Sequence, residues 1–117
     1  MIKQLVKYTD FNGNEQEETL YFHMSKAEIT MLELSVPGGL SKKLEEVSKA
    51  NDLGEISKIM YDMVLSAYGQ KSEDGKRFVK NAQIKEDFKN SAAFSELFMT
   101  LAQNEEKAKA FMESLMQ

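Results

Sequence analysis

The 117-residue chain carries no cysteine, a single histidine and a net charge of −4, which excludes a disulfide framework, a thiol nucleophile and a thiolate metal site. An acidic balance with interspersed bases disfavours non-specific binding to nucleic acid, and no apolar run approaches the roughly 18 residues needed to span a bilayer. The N-terminus lacks the apolar core of a signal peptide, and the length predicts one domain, 1–117.

"MIKQLVKYT" and "EQEETLYFHM" read as two strands around "DFNGN", where Asn12-Gly13 is a hairpin signal because both residues tolerate positive φ. The tightest register pairs Phe11 with Asn14 and puts Lys3 beside Phe22. A slip of one residue opposes Ile2 to Met24, Val6 to Leu20 and Tyr8 to Glu18 around a three-residue loop. It gathers Ile2, Val6, Tyr8, Leu20, Phe22 and Met24 on one face, and burial specifies register, so the slipped pairing is expected. Two strands alone are marginal, so this face must pack on helices or its edges must pair with another chain.

A helix starts at "MSKAEI", with Ser25 as N-cap and Glu28 completing a capping box. Met24 and Ile29 stand at the positions of a hydrophobic staple. The helix carries Ile29, Met31, Leu32 and Leu34 and stops before "VPGG". "LSKKLEEVSKAN" follows as a short helix with Leu40, Leu44 and Val47 on one side. In "DLGEISKIMYDMVLSAYG" Leu53, Ile56, Ile59, Met60, Met63, Val64 and Ala67 follow helical spacing, and Gly69 falls where a left-handed glycine would end the helix. "NAQIKEDFKN", "SAAFSELFMTLAQ" (N-cap Ser91) and "NEEKAKAFMESLMQ" (N-cap Asn104) read as three further helices. Residues 1–24 are thus a β-hairpin and 25–117 a helical part. The fold class is α+β, mainly α, with five or six short helices packed as one domain.

The residues that could carry chemistry read as having routine structural roles. "GQKSEDGKRF" mimics a phosphate-binding loop, but a P-loop needs G-x-x-x-x-G-K-[ST] after a strand. Here five residues separate Gly69 from Gly75, Arg77 replaces the hydroxyl, and Glu73 and Asp74 would repel phosphate. His23 has no nucleophile or co-ligands to work with and reads as a half-exposed strand residue opposite the apolar hairpin face. The adjacent carboxylates at Glu17/Glu18, Glu45/Glu46, Glu73/Asp74 and Glu105/Glu106 read as solvated surface. Lys71, Lys76, Arg77 and Lys80 form a basic cluster that suits an acidic protein partner better than a nucleic acid. Of the eight methionines, Met60 and Met63 read as core. Met99, Met112 and Met116 either fill the core or widen an adaptable apolar surface on the last two helices.

The stretches "YTDFNGNEQEETLYFHMSKAEITMLELSVPGGL", "AYGQKSEDGKRFVKN" and "FSELFMTLAQNEEKAKAFMESLM" together resemble the small tail assembly chaperones of long-tailed bacteriophages. The hairpin running into the helix-capping "SKAE", the "DGKRF" loop and the "FSELFM" helix carry the likeness, which covers nearly the whole chain. The resemblance implies a non-enzymatic protein without a cofactor, acting in the cytoplasm of the infected bacterial host and absent from the mature virion. Its implied partners are the tape measure protein and, through a possible frameshift-extended form, the tail tube protein. Self-association is a further possibility, and the rival class is a small phage DNA-binding regulatory protein. With a long helical partner in view, Met99, Phe111, Met112, Leu115 and Met116 are expected to form the partner surface, their number exceeding what one helix pair needs for a small core. Lys76, Arg77 and Lys80 are expected to steer an acidic segment towards it.

Overall fold

A hairpin turn sets the geometry of the first two strands, β1 (Ile2–Thr9) and β2 (Glu15–Phe22). One carboxylate oxygen of Asp10 accepts the backbone N–H groups of both Asn12 and Asn14 at 2.9 Å. Gly13 sits at φ +82°, the left-handed conformation that ends a three-residue hairpin loop built on a type I turn. The loop is therefore Phe11–Gly13, and the strands pair Ile2 with Phe22, Val6 with Glu18 and Tyr8 with Gln16. This corrects the expected pairing of Ile2 with Met24 by two residues. The expected register would have placed Asn14 where Gly13 is required, so turn chemistry outweighs cross-strand apolar pairing. A two-residue shift preserves parity, and Val6, Leu20 and Phe22 still share the buried face.

The computed structural model describes residues 1–116. Two strands stand within the part expected to hold only helices and their loops: β3 (Tyr68–Lys71) and β4 (Phe78–Val79). They extend the first hairpin into a four-stranded antiparallel sheet in the order β1-β2-β3-β4, with Tyr21 opposite Gly69 and Phe22 opposite Tyr68. Gly69 is thus a strand residue without positive φ, and the expected left-handed helix stop is not its role.

Six helices complete the described residues: α1 (Lys26–Ser35), α2 (Leu40–Lys49), α3 (Leu53–Ala67), α4 (Ala82–Lys89), α5 (Ala92–Ala102) and α6 (Glu105–Leu115). Most begin at a polar cap written locally. The side chains of Asp52, Asn81, Ser91 and Asn104 each accept the N–H three residues on. The box at α1 is complete: Glu28 N–H donates to the Ser25 hydroxyl at 3.1 Å, and Ser25 N–H donates to the Glu28 carboxylate at 3.0 Å. Ser25→Ala is expected to lower stability by about 1 kcal/mol. The chemical-denaturation midpoint measures this, and an unchanged midpoint would mean that the box holds nothing.

One apolar cluster joins the sheet to the helices. Phe22 is its centre, fully buried, with edge-to-face contacts to Tyr68, Phe88 and Phe111 at 5.8, 5.9 and 5.3 Å between ring centroids. Tyr68 stacks on Phe88 at 3.9 Å. Met60, Met63 and Val64 of α3 and Phe94, Leu97 and Leu101 of α5 close over it. Helix α1 is the exception, being the one helix among the described residues that contributes no buried side chain. His23 is half-buried just past β2, where its N–H donates to the Ala67 carbonyl and its ring meets Phe78 edge-on at 5.9 Å.

Candidate functional site: a groove under α1

The loop joining β3 to β4 turns most of its backbone donors back onto itself, Ser72 N–H to the Arg77 carbonyl among them, and carries Glu73 and Asp74, which would repel a phosphate. Gly75 N–H donates to the Ser72 carbonyl, Lys76 N–H to the Asp74 carboxylate and Arg77 N–H to the Ser72 hydroxyl. The Ser72 hydroxyl, then the Lys76 N–H, hold the Asp74 carboxyl below its ordinary range. Gly75, at φ +73°, makes this turn possible. Lys76 and Arg77 project into solvent from the loop. Lys80 does not join them: its ammonium lies 2.7 Å from the Glu28 carboxylate in a part-buried pair. The expected three-residue steering patch therefore reduces to two, because the third cation ties β4 to the start of α1.

The C-terminal candidates divide in the same way. Phe111, Met112 and Leu115 are buried, Met116 is half-buried and Met99 is 48% exposed. The expectation of an exposed α6 surface is corrected for the first three. The core to be filled is larger than a helix pair, because α6 packs against both α3 and α5 and reaches Phe22 of the sheet. Four of the eight methionines, Met24, Met60, Met63 and Met112, are core.

Met112 and Met116 nonetheless meet the surface at one place, a groove of about 780 Å³ between α1, α2, α3 and α6. Its apolar floor is Ile29, Leu44, Ile56, Met112 and Met116. Charged side chains rim it: Glu33, Glu45 and Lys49 on one side, Lys109 and Glu113 on the other. Lys49 and Glu45 pair at 3.1 Å across one turn of α2. Such a groove offers apolar anchorage at the bottom and orientation at the edge, the combination that receives an amphipathic helix. The sequence named Met112 and Met116 but missed Ile29 and Leu44. Both follow helical apolar spacing, which marks a stripe without saying how much of it stays uncovered.

Glu33 shapes one wall of the groove. Helix α2 begins at Gly39, which has no side chain to cap with. The Glu33 carboxylate does this from α1, accepting Leu40 N–H at 2.9 Å, Ser41 N–H at 3.0 Å and the Ser41 hydroxyl at 2.6 Å. The hydroxyl first, then the two N–H groups, lower its pKa below 4.5 against the cost of desolvation. For Glu28, burial raises the pKa, but Lys80 and the Ser25 N–H and hydroxyl outweigh it and hold the carboxyl below 4.5. Both groups have a depressed folded pKa. Their contribution is therefore present above the ordinary carboxylate range and is lost as pH falls through the lower folded values. Denaturation midpoints taken from neutral pH down to pH ~3 are expected to fall, and Glu33→Gln is expected to flatten that fall. An unchanged acid limb in the Gln variant would remove Glu33 from the account.

Among the described residues no helix is long and apolar enough to cross a membrane, and no cluster of acidic and histidine side chains could hold a metal ion. A family model described as phage tail assembly chaperone matches residues 1–117, and the chain belongs to that family. No curated protein and no solved structure matches it.

Proposed function

We propose that this tail assembly chaperone binds the tape measure protein, taking a helical segment of it into the groove between α1, α2, α3 and α6. One observation carries the reading: an open apolar floor, part methionine, with charges confined to its rim. A tape measure is long and helical and exposes many similar apolar stripes before a tube encloses it. Any one copy of the chaperone must accept slightly different helix faces. Unbranched thioethers such as Met112 and Met116 repack at low cost, which suits a binder of varied targets. Lys76 and Arg77 steer acidic segments of the partner towards the protein, and exposed Met99 offers a further apolar contact. In the same reading the protein works without catalysis in the cytoplasm of the infected host and is left out of the finished particle. A frameshift-extended form, continuing beyond α6, recruits tube subunits to the coated tape measure.

Co-expression with a tagged tape measure protein tests the groove. Leu44→Gln with Met116→Gln changes two half-buried floor positions and is expected to abolish co-purification while the circular dichroism spectrum is kept. A folded double variant that still co-purifies at parental yield would place the contact elsewhere.

A further inference from the structure

Helix α1 forms one wall of the groove through Ile29 and Glu33, yet it contributes no buried side chain. Its inner side, with Ile29 and Leu32, is half-buried, and its outer side is uncovered, with Met31 66% and Leu34 76% exposed. The rest of the groove belongs to helices that are rooted in the core, by Val47 in α2, Met60 in α3 and Phe111 in α6. Moving any of those helices disrupts close packing, whereas moving α1 exposes only side chains that already meet solvent.

The two ends of α1 are held differently. At the N-terminal end Met24 is buried just before the cap. The capping box closes the first turn, and the Glu28 carboxylate pairs with Lys80, just past β4, at 2.7 Å in a part-buried contact. At the C-terminal end the polar tie is the Glu33 carboxylate, which holds Leu40 N–H and the N–H and hydroxyl of Ser41. Water can replace such an exposed tie at small net cost. Val36–Gly39 then forms a type II turn: Gly39 N–H donates to the Val36 carbonyl at 2.8 Å, Pro37 precedes Gly38, and Gly38 has φ +82°. The tie and the turn are built around each other, because a Cβ at Gly39 would stand 2.7 Å from Oε2 of Glu33. The first and last Cα atoms of such a turn lie less than about 7 Å apart, and the same four residues extended span about 10 Å. Releasing Glu33 and one backbone hydrogen bond thus gives this end of α1 about 3 Å of travel.

We propose that α1 is a movable jaw of the groove. It pivots at its N-terminal end, lifts at its C-terminal end when Glu33 lets go of α2, and so fits the width of the groove to its occupant. A travel of about 3 Å separates room for a small side chain from room for a large one. One groove then takes helix faces of differing bulk while α2, α3 and α6 keep their packing. The inference rests on the groove reading for what the jaw closes on; the pivot itself is a property of the free chain.

Distances between paired spin labels read the movement, since the chain has no cysteine of its own. Leu34→Cys reports the lifting end of α1 and Ala27→Cys the pivot. Each is measured against Thr100→Cys on α5, and all three positions are exposed. Glu33→Ala is expected to broaden the Leu34 distance distribution by about 3 Å and to leave the Ala27 distribution unchanged, with the circular dichroism spectrum kept. Lys80→Met, which unpins the other end, is expected to broaden the Ala27 distribution. In the otherwise unaltered chain, saturation with the tape measure protein is expected to shift the Leu34 distance and not the Ala27 distance. If Glu33 were only the cap of α2, its loss would leave both α1 distances narrow, and that result would overturn the proposal. So would a Leu34 distance that the bound tape measure protein does not move. Failure of the tape measure protein to bind at all would sink the groove reading alone, and the free-chain distances would still decide the pivot.

Discussion

Phe22→Ala is expected to cost about 3–5 kcal/mol, the largest loss from any single truncation in the protein. Phe22 is fully buried on the sheet face, and its ring sits where three parts of the chain converge. Tyr68 comes from β3, Phe88 from α4 and Phe111 from α6, each edge-on within 6 Å of it. Removing the ring forfeits its transfer free energy, three aromatic contacts and the packing of the surrounding side chains around a cavity. Relaxation cannot close the gap cheaply, because Tyr68 and Phe88 are stacked on one another at 3.9 Å and shifting either ring into the gap breaks that stack. A domain of this size has only about 5–15 kcal/mol of stability in total, so the variant sits near the edge of folding. Phe11→Ala is the control: that ring, at the tip of the first hairpin, is 85% exposed and its loss is expected to lie within about 0.5 kcal/mol. Urea denaturation of both variants measures the difference. A Phe22→Ala loss below about 1.5 kcal/mol would mean that the sheet and helices do not share this core.

What could be read from the sequence was whatever is decided within a few residues. The capping box at Ser25 and the caps at Ser91 and Asn104 depend on side chains reaching three positions along the chain, and all three are present as expected. The buried face of the first hairpin follows from parity alone. Its register does not, because two pairings of equal parity differ only in which residue takes the left-handed position, and the Asp10 carboxylate arbitrates. Strands β3 and β4 contain four and two residues, too few for an alternating pattern to rise above the helical period running into them. The cap of α2 comes from Glu33, eight residues before Ser41, and no local motif encodes it. For the candidate site the limit is of another kind. Periodicity finds the apolar stripe of α6, but whether a stripe is covered depends on what packs against it, and α3, α5 and the sheet cover most of this one. The uncovered stripe is on α1, where Met31 and Leu34 had read as ordinary helix positions.

Gly69→Ala is expected to cost about 2–3 kcal/mol, an overpacking penalty in a sheet with no spare room. A methyl group at Gly69 would lie 2.5 Å from Cε2 of Phe78 and 2.9 Å from Cδ2 and Cζ of the same ring. Those distances are well inside van der Waals contact, so the ring must move. It is half-buried, with His23 edge-on at 5.9 Å and the Lys80 ammonium 5.9 Å from its centroid, and Lys80 in turn holds Glu28 of the capping box. Displacing Phe78 therefore disturbs the seam between the second hairpin and α1. Two accounts of this glycine predict different results in a double-mutant cycle. If Gly69 were a left-handed helix stop, the added Cβ would be strained by its own backbone, and the cost would be the same whatever occupied position 78. Because it is a strand glycine under a ring, Phe78→Ala should remove most of the obstacle. Gly69→Ala combined with Phe78→Ala is then expected to be less destabilised than the sum of the two single changes by about 1–2 kcal/mol. Additive losses would show that the ring is not the reason for the glycine.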